Sequence, residues 1–467
     1  MKRVLSALVL TATAACGAIG GTPAASPSPA ATDAASAEPF ASTYRPFPSQ
    51  TTLIRGGTVM TAAGDVIQNG QVLLVDGRVA AVGTQVNAPA DARVIDATGR
   101  YVTPGLIDTH SHLGVYASPG VDAHSDGNEA TNPNTAEVWA EHSIWPQDPG
   151  FPRALAGGVT TLHVLPGSAN LFGGRSVSIK NIPARTVQEM KFPGAPHGMK
   201  MACGENPKRV YGSQRRSPAT RMGNVAGYRA AFIRAQDYRR RWDRFENGNR
   251  QGEPPTRDLQ LETLAGVLRG DILIQNHCYR ADEMALQLDV FREFDVRPRS
   301  FHHAVEAYKV ADLLAAEDVS VSIWADWWGF KMEALDATNA NAALAHRAGA
   351  RVVIHSDDAM GIQRLNQEAA KALAAGREAG IQISDDEALR WITANAAWTI
   401  GLQDQVGTLE EGKNADVVIW SGHPFSVYTR AEQVFVDGAL MYDRNDPNRQ
   451  YLTDFELGIF SGRSAPR

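Results

Sequence analysis

The sequence predicts an α/β protein: a (β/α)8 barrel of the TIM type carrying a small discontinuous β-sandwich made from both ends of the chain. Three observations lead there. Residues 51–101 and 405–445 are both short β-like segments broken by turn signals. Between them, strand-like and helix-like stretches alternate, the pattern of a parallel sheet covered by helices. The strand-like stretches in that middle part number eight, the count such a barrel needs. At 467 residues and 43% hydrophobic composition, the chain can bury one large barrel and a smaller domain.

Taken in order, the chain begins with a leader, residues 1–25. Lys2 and Arg3 precede an apolar run from Val4 to Ala15 that is too short to span a bilayer. Ala14-Ala15-Cys16-Gly17 resembles a bacterial lipoprotein box, with Thr13 where that box usually has Leu; ordinary cleavage near Ala24 or Ala25 is the alternative. Both readings imply export, to the periplasm or to a membrane anchor at the cell surface, and the first adds a tether through lipidated Cys16. Residues 26–50 are rich in Ala, Ser and Pro and read as a linker. The first β segments follow, with Asp76-Gly77 as a hairpin turn signal. Of the three cysteines, Cys16 belongs to the leader. Cys203 and Cys278 are expected as packing residues, because two thiols make no disulfide framework.

The barrel is expected over residues 102–404. Its first strand runs from Val102 to Asp108 and out into His110-Ser111-His112. A polar loop, Ala117 to Asn134, leads to a helical run ending near Leu155. Strands are then expected at Gly158–Pro166, Ser176–Lys180, Met199–Ala202, Ile272–His277, Val296–Phe301, Val319–Trp324 and Val352–Asp357. The glycine-rich loop Gly167 to Gly174 lacks the Gly-Lys-Ser/Thr ending of a phosphate cradle. Residues 446–467 form a tail. The formal net charge of −6 and the short, acid-mixed arginine run at Arg239–Arg241 argue against a nucleic-acid partner and for a small-molecule substrate.

Barrel enzymes place their chemistry at the C-terminal ends of the strands. Side chains alternate along an extended segment, so His110 and His112 share a face and can hold one ion. Three further strands end in ligand-type side chains: His277, the pair His302/His303, and Asp357. The whole chain has only 12 histidines, so this ordered placement points to a metal site.

Pro104-Gly-Leu-Ile-Asp-Thr-His-Ser-His112 resembles the first-strand motif of the amidohydrolase superfamily, metal-dependent hydrolases built on a (β/α)8 barrel, and most nearly its imidazolonepropionase-related branch. The resemblance covers roughly residues 50 to 445. It implies metal ligands at His110, His112, His277, one histidine of the sixth strand, and Asp357. His303-Ala-Val-Glu306 fits the sixth-strand pattern better than His302, which is then left as a buried partner of the ligands. Binuclear members carry a lysine on the fourth strand, N-carboxylated by CO2, that bridges two ions. Lys200 matches that position, with Lys180 and Glu205 as rivals. Imidazolonepropionases are mononuclear and lack the lysine, so a bridging Lys200 would put that particular activity in doubt. The implied cofactor is one or two divalent ions, zinc first among them.

The resemblance further implies hydrolysis of a C–N bond in an amide, cyclic amide or dipeptide, by hydroxide held on the metal, with Asp357 as catalytic proton shuttle. Tyr279, Arg280 and Trp324 are the expected substrate contacts, Arg280 toward a carboxylate. A mononuclear deaminase-like hydrolase is the alternative, but those relatives carry Glu three residues beyond the fifth-strand histidine, where this chain has Arg280. A non-catalytic binding scaffold is the remaining reading, and the intact ligand set argues against it.

Overall fold

The computed structural model describes residues 39–450; the leader, most of the linker stretch and the chain beyond 450 lie outside the described residues. Among the described residues no helix is long and apolar enough to cross a membrane. Inside the stretch expected as linker, Ser42 donates to the Lys191 carbonyl at 2.6 Å and Phe47 packs against the main core.

Both ends of the chain meet in one sheet of eight strands. β1 (Thr52–Met60), β2 (Val66–Val75), β3 (Arg78–Gly83), β4 (Arg93–Asp96) and β5 (Tyr101–Pro104) come from the first part. Among the described residues three more strands follow the barrel, and the first of them runs antiparallel to β5, with Val417 opposite Pro104 and Trp420 opposite Tyr101. Val59, Val72, Val102, Val417, Ile419 and Phe435 fill the core of this sheet, the alternate positions of β-branched strands turned to one face.

The barrel sheet also has eight strands: β6 (Leu106–Ser111), β7 (Val159–Val164), β8 (Phe172–Lys180), β9 (Gly198–Ala202), β10 (Leu273–His277), β11 (Pro298–His302), β12 (Ser320–Ile323) and β13 (Arg351–Ile354), in sequential order; β14 (Val417–Trp420), β15 (Ala431–Val436) and β16 (Ala439–Asp443) are the three returning strands of the first sheet. The two edges approach where the Asp357 amide donates to the His110 carbonyl at 3.0 Å and the Ser356 amide to Asp108 at 3.1 Å.

Three expectations change. The stretch from Val102 to His112 is two strands in two sheets, divided at Gly105. A Cβ there would lie 2.1 Å from the Thr160 hydroxyl, so the chain crosses between sheets where only glycine fits. The helix expected up to Leu155 is confined to Gly150–Ala156, because Pro146 and Pro149 disfavour helical backbone in the residues before them. The third barrel strand, β8, runs antiparallel to both neighbours. Residues 165–171 are too few to carry the chain back for a parallel strand, which takes about a dozen.

A further correction concerns the cysteines. Cys203 and Cys278 form a disulfide, with Cα atoms 5.2 Å apart. They follow the ends of neighbouring parallel strands β9 and β10, and the Cys203 amide donates to the His277 carbonyl, which brings the two side chains together. Spacing in sequence, 75 residues, gives no hint of this; strand pairing does.

Candidate metal centre

The strand ends bring six imidazoles, one lysine and one carboxylate together. Ligand atoms of His110, His303 and Asp357 all lie within 4.8 Å of one another. The Asp357 carboxylate is 3.1 Å from His112 Nε2, 3.6 Å from His110 Nε2 and 3.7 Å from His303 Nδ1. The His277 ring centres 4.8 Å from that of His303. His303 and Asp357 both take positive φ, 64° and 52°, a left-handed turn at the strand end that non-glycine residues adopt at a cost. That turn is what points their side chains at the cluster.

Hydrogen bonds fix which nitrogen each ring offers. Gln275 donates its amide N–H to the Thr399 carbonyl at 3.0 Å, so its oxygen faces His302 Nε2 at 2.7 Å. His302 therefore carries its proton on Nε2 and presents a bare Nδ1, 2.8 Å from His110 Nδ1. His110 must donate there, which leaves its Nε2 lone pair facing Asp357 and Lys200. His112 donates Nδ1–H to the Leu165 carbonyl at 2.9 Å and turns its Nε2 inward, toward Asp357. The structure thus places His302 behind His110, and His303 at the cluster itself.

Burial holds His110, His277, His302 and His303 well below the usual histidine range, reinforced by the positive charge of Lys200. They are neutral imidazoles, the form that binds metal. Asp357 feels an opposing burial cost, outweighed by the hydrogen bond and charge of His112 and by His355 and Lys200, and stays a carboxylate. Lys200 is fully buried, with Nζ 3.2 Å from His110 Nε2 and no carboxylate within 4 Å among the described residues. Burial pulls its pKa down to about 7.

The rivals of Lys200 lie elsewhere. Because β8 is antiparallel, Lys180 opposes Thr161 low on β7, and its ammonium pairs with Asp437 at 2.7 Å, on the turn between β15 and β16. Glu205, at the start of the helix Glu205–Gly212, faces Lys331 at 3.4 Å. Of the expected substrate contacts, Tyr279 lies 4.5 Å ring to ring from His277, and the Trp324 ring stacks on His303 at 4.3 Å. Arg280 stands apart: Asp282 holds its guanidinium bidentately at 2.9 and 3.0 Å, in a half-exposed pair.

Two buried residues escaped the sequence reading. His355 centres 4.8 Å from His303 and 5.2 Å from His110, and neither of its ring nitrogens has a hydrogen-bond partner among the described residues. Period-two alternation from Asp357 would have found it, as it found His112 from His110. Asp108 accepts from the Ser356 amide and hydroxyl and from the His110 amide, tying the first barrel strand to the last. Burial raises its pKa to about 6 against those hydrogen bonds. A lone Asp inside an apolar strand carries no signal of this role.

Among solved structures, an amidohydrolase from Thermotoga maritima MSB8 superposes with a TM-score of 0.78 at 34% identity, over 84% of this chain and all of that one. The chain belongs to the amidohydrolase family. Residues 299–451 match the description "Amidohydrolase family" directly. Amidohydrolase tasK of Hapsidospora irregularis is 33% identical over 403 residues, 81% of this chain but only 40% of its own length. A 5-methylthioadenosine/S-adenosylhomocysteine deaminase of Symbiobacterium thermophilum is 33% identical over 148 residues, 29% of this chain and 33% of that protein. The chain thus spans well under half the length of these two curated relatives. The amidohydrolase family is typically metal-dependent.

Proposed function

We propose that the protein is an exported, divalent-metal-dependent hydrolase of amide C–N bonds in small molecules: linear amides, cyclic amides or dipeptides. The observation that carries this is the convergence of neutral, buried imidazoles on one carboxylate, with His277 Nδ1, His303 Nδ1 and both nitrogens of His355 lacking hydrogen-bond partners among the described residues. Buried polar atoms without partners are costly, and a cation is the chemistry that satisfies several imidazoles at once. His110, His112, His277, His303 and Asp357 would hold the ion or ions, zinc suiting such a nitrogen- and oxygen-rich set. When bound, the metal supplies a more acidic water and polarises the carbonyl oxygen.

The remaining steps belong to the chain's own residues. Asp357 takes the proton from the attacking water and gives it to the leaving nitrogen, as the C–N bond breaks and the new C–O bond forms. Lys200 is suited to N-carboxylation. Its buried ammonium can lose one proton, and the resulting amine can add CO2 with loss of a second, exchanging a cation that cannot ligate for an anionic oxygen donor beside His110.

Matched substrates test the proposal. The holoenzyme should cleave some member of a panel of N-acyl amino acids, dipeptides and cyclic amides. Asp357→Asn should keep the fold and lose about 10²–10⁴-fold in turnover. The deaminase match gives the second reading. Release of ammonia from purines or pyrimidines with no amide cleavage would replace the first reading by that one.

Export is supported by Lys2, Arg3 and the apolar run after them, and by the Cys203–Cys278 disulfide, since such bonds persist in oxidising compartments. Mass mapping of the mature chain should find its N-terminus at acylated Cys16 or near Ala24. A chain that keeps Met1 and stays in the cytoplasm would contradict export.

A further inference from the structure

The loop after β12 exposes large apolar side chains in quick succession: Trp327 (41%), Trp328 (44%), Phe330 (57%), Met332 (80%) and Leu335 (52%). Scattered exposed apolar residues need no explanation, but five within nine positions mark a surface that meets a ligand. This one is continuous with the metal centre. The Trp324 ring stacks on His303, and both Trp327 and Phe330 lie 5.8 Å from Trp324. Phe330 returns to Tyr279 at 6.3 Å, and Tyr279 to His277. A strip of aromatic faces therefore leads from two ligand imidazoles out to solvent.

Lys331 interrupts the strip and turns inward. Its side chain is 20% exposed, with Nζ 4.2 Å from the centre of the Tyr279 ring. It donates to Asn206 Oδ1 at 2.8 Å, and Asn206 Nδ2 stands 3.3 Å from His277 Nε2. One side chain thus separates this ammonium from the metal centre. Glu205 pairs with the Lys331 ammonium at 3.4 Å and Asn206 takes a second donor, which leaves one of its three N–H groups for a ligand, while Glu333 is held by Arg221. Arg280, by contrast, is paired bidentately with Asp282.

We propose that Lys331 and the rim formed by Trp327 and Phe330 are a substrate subsite for an amino-acid residue bearing a free α-carboxylate and a bulky apolar side chain. The carboxylate meets Lys331, and the side chain lies along the aromatic rim. The preferred substrates are then N-acyl or N-aminoacyl derivatives of large apolar amino acids. This rests on the amide-hydrolase reading, but the subsite itself is measurable without turnover.

Calorimetry on the holoenzyme with L-phenylalanine, L-phenylalaninol and glycine gives the test, beside hydrolysis of the N-acetyl derivatives of phenylalanine and glycine. Wild type should bind L-phenylalanine about tenfold or more tightly than either comparison ligand, the size of one charge-assisted contact or one buried side chain. Lys331→Met should lower phenylalanine to the level of phenylalaninol, and Lys331→Arg should restore it. Phe330→Ala with Trp327→Ala should lower phenylalanine toward glycine. Equal binding of all three ligands by wild type, no binding at all, or a uniform loss in Lys331→Met would overturn the subsite. So would rim variants that change only the sedimentation of the protein, which would make the rim a contact between copies. Binding that follows the expected pattern without hydrolysis of either N-acetyl compound would keep the subsite and remove the hydrolase reading; hydrolysis without the pattern would do the reverse.

Discussion

The imidazole of His302 decides where His110 carries its proton. The Thr399 carbonyl orients Gln275, Gln275 orients His302, and His302 takes the Nδ1 proton of His110. Such outer partners typically govern metal affinity by about 10–100-fold. His302→Leu should therefore weaken metal binding by that order, measured by competition with a chromophoric chelator, while the circular dichroism spectrum is preserved. Unchanged affinity would show that His110 is oriented by something else. At this scale the sequence was partly legible. Alternation along a strand marks His110 with His112, and applies equally to His355 with Asp357. The left-handed turns at His303 and Asp357, and the inward reach of Lys331 from a loop and of Asn206 from the helix Glu205–Gly212, have no local sequence signal.

Secondary-structure elements deliver these residues, and their direction matters as much as their position. Reversal of β8 carries Lys180 away from the strand ends and leaves Lys200 as the buried lysine beside the imidazoles. The short 165–171 connection makes that reversal readable from the sequence, given only the rule for parallel crossovers. The split at Gly105 is harder to read, because apolar β-type residues continue on both sides of it. The disulfide joins the ends of β9 and β10, one residue beyond His277 and three beyond Lys200. Loss of a disulfide that closes a long loop typically costs about 2–4 kcal/mol. The double variant Cys203→Ala, Cys278→Ala should thus unfold at a clearly lower denaturant midpoint and retain metal less well through dialysis. Identical midpoints would assign the bond no part in holding the two strand ends together.

On the scale of the whole molecule, the eight barrel strands and the joining of both chain ends in one sheet follow from segment order, which periodicity reports well. The substrate does not follow, because it is chosen by loops whose shape depends on partners far away in sequence, as the exposed run from Trp327 to Leu335 illustrates. The proposed chemistry depends on a divalent ion held by His110, His112, His277, His303 and Asp357. The most direct measurement is elemental analysis of protein purified without added metal, joined to activity through chelation and metal return. We expect at least one divalent ion per chain, a second that disappears in Lys200→Ala, and turnover that falls and recovers with metal content. Full turnover in protein verified to be metal-free would contradict the central claim.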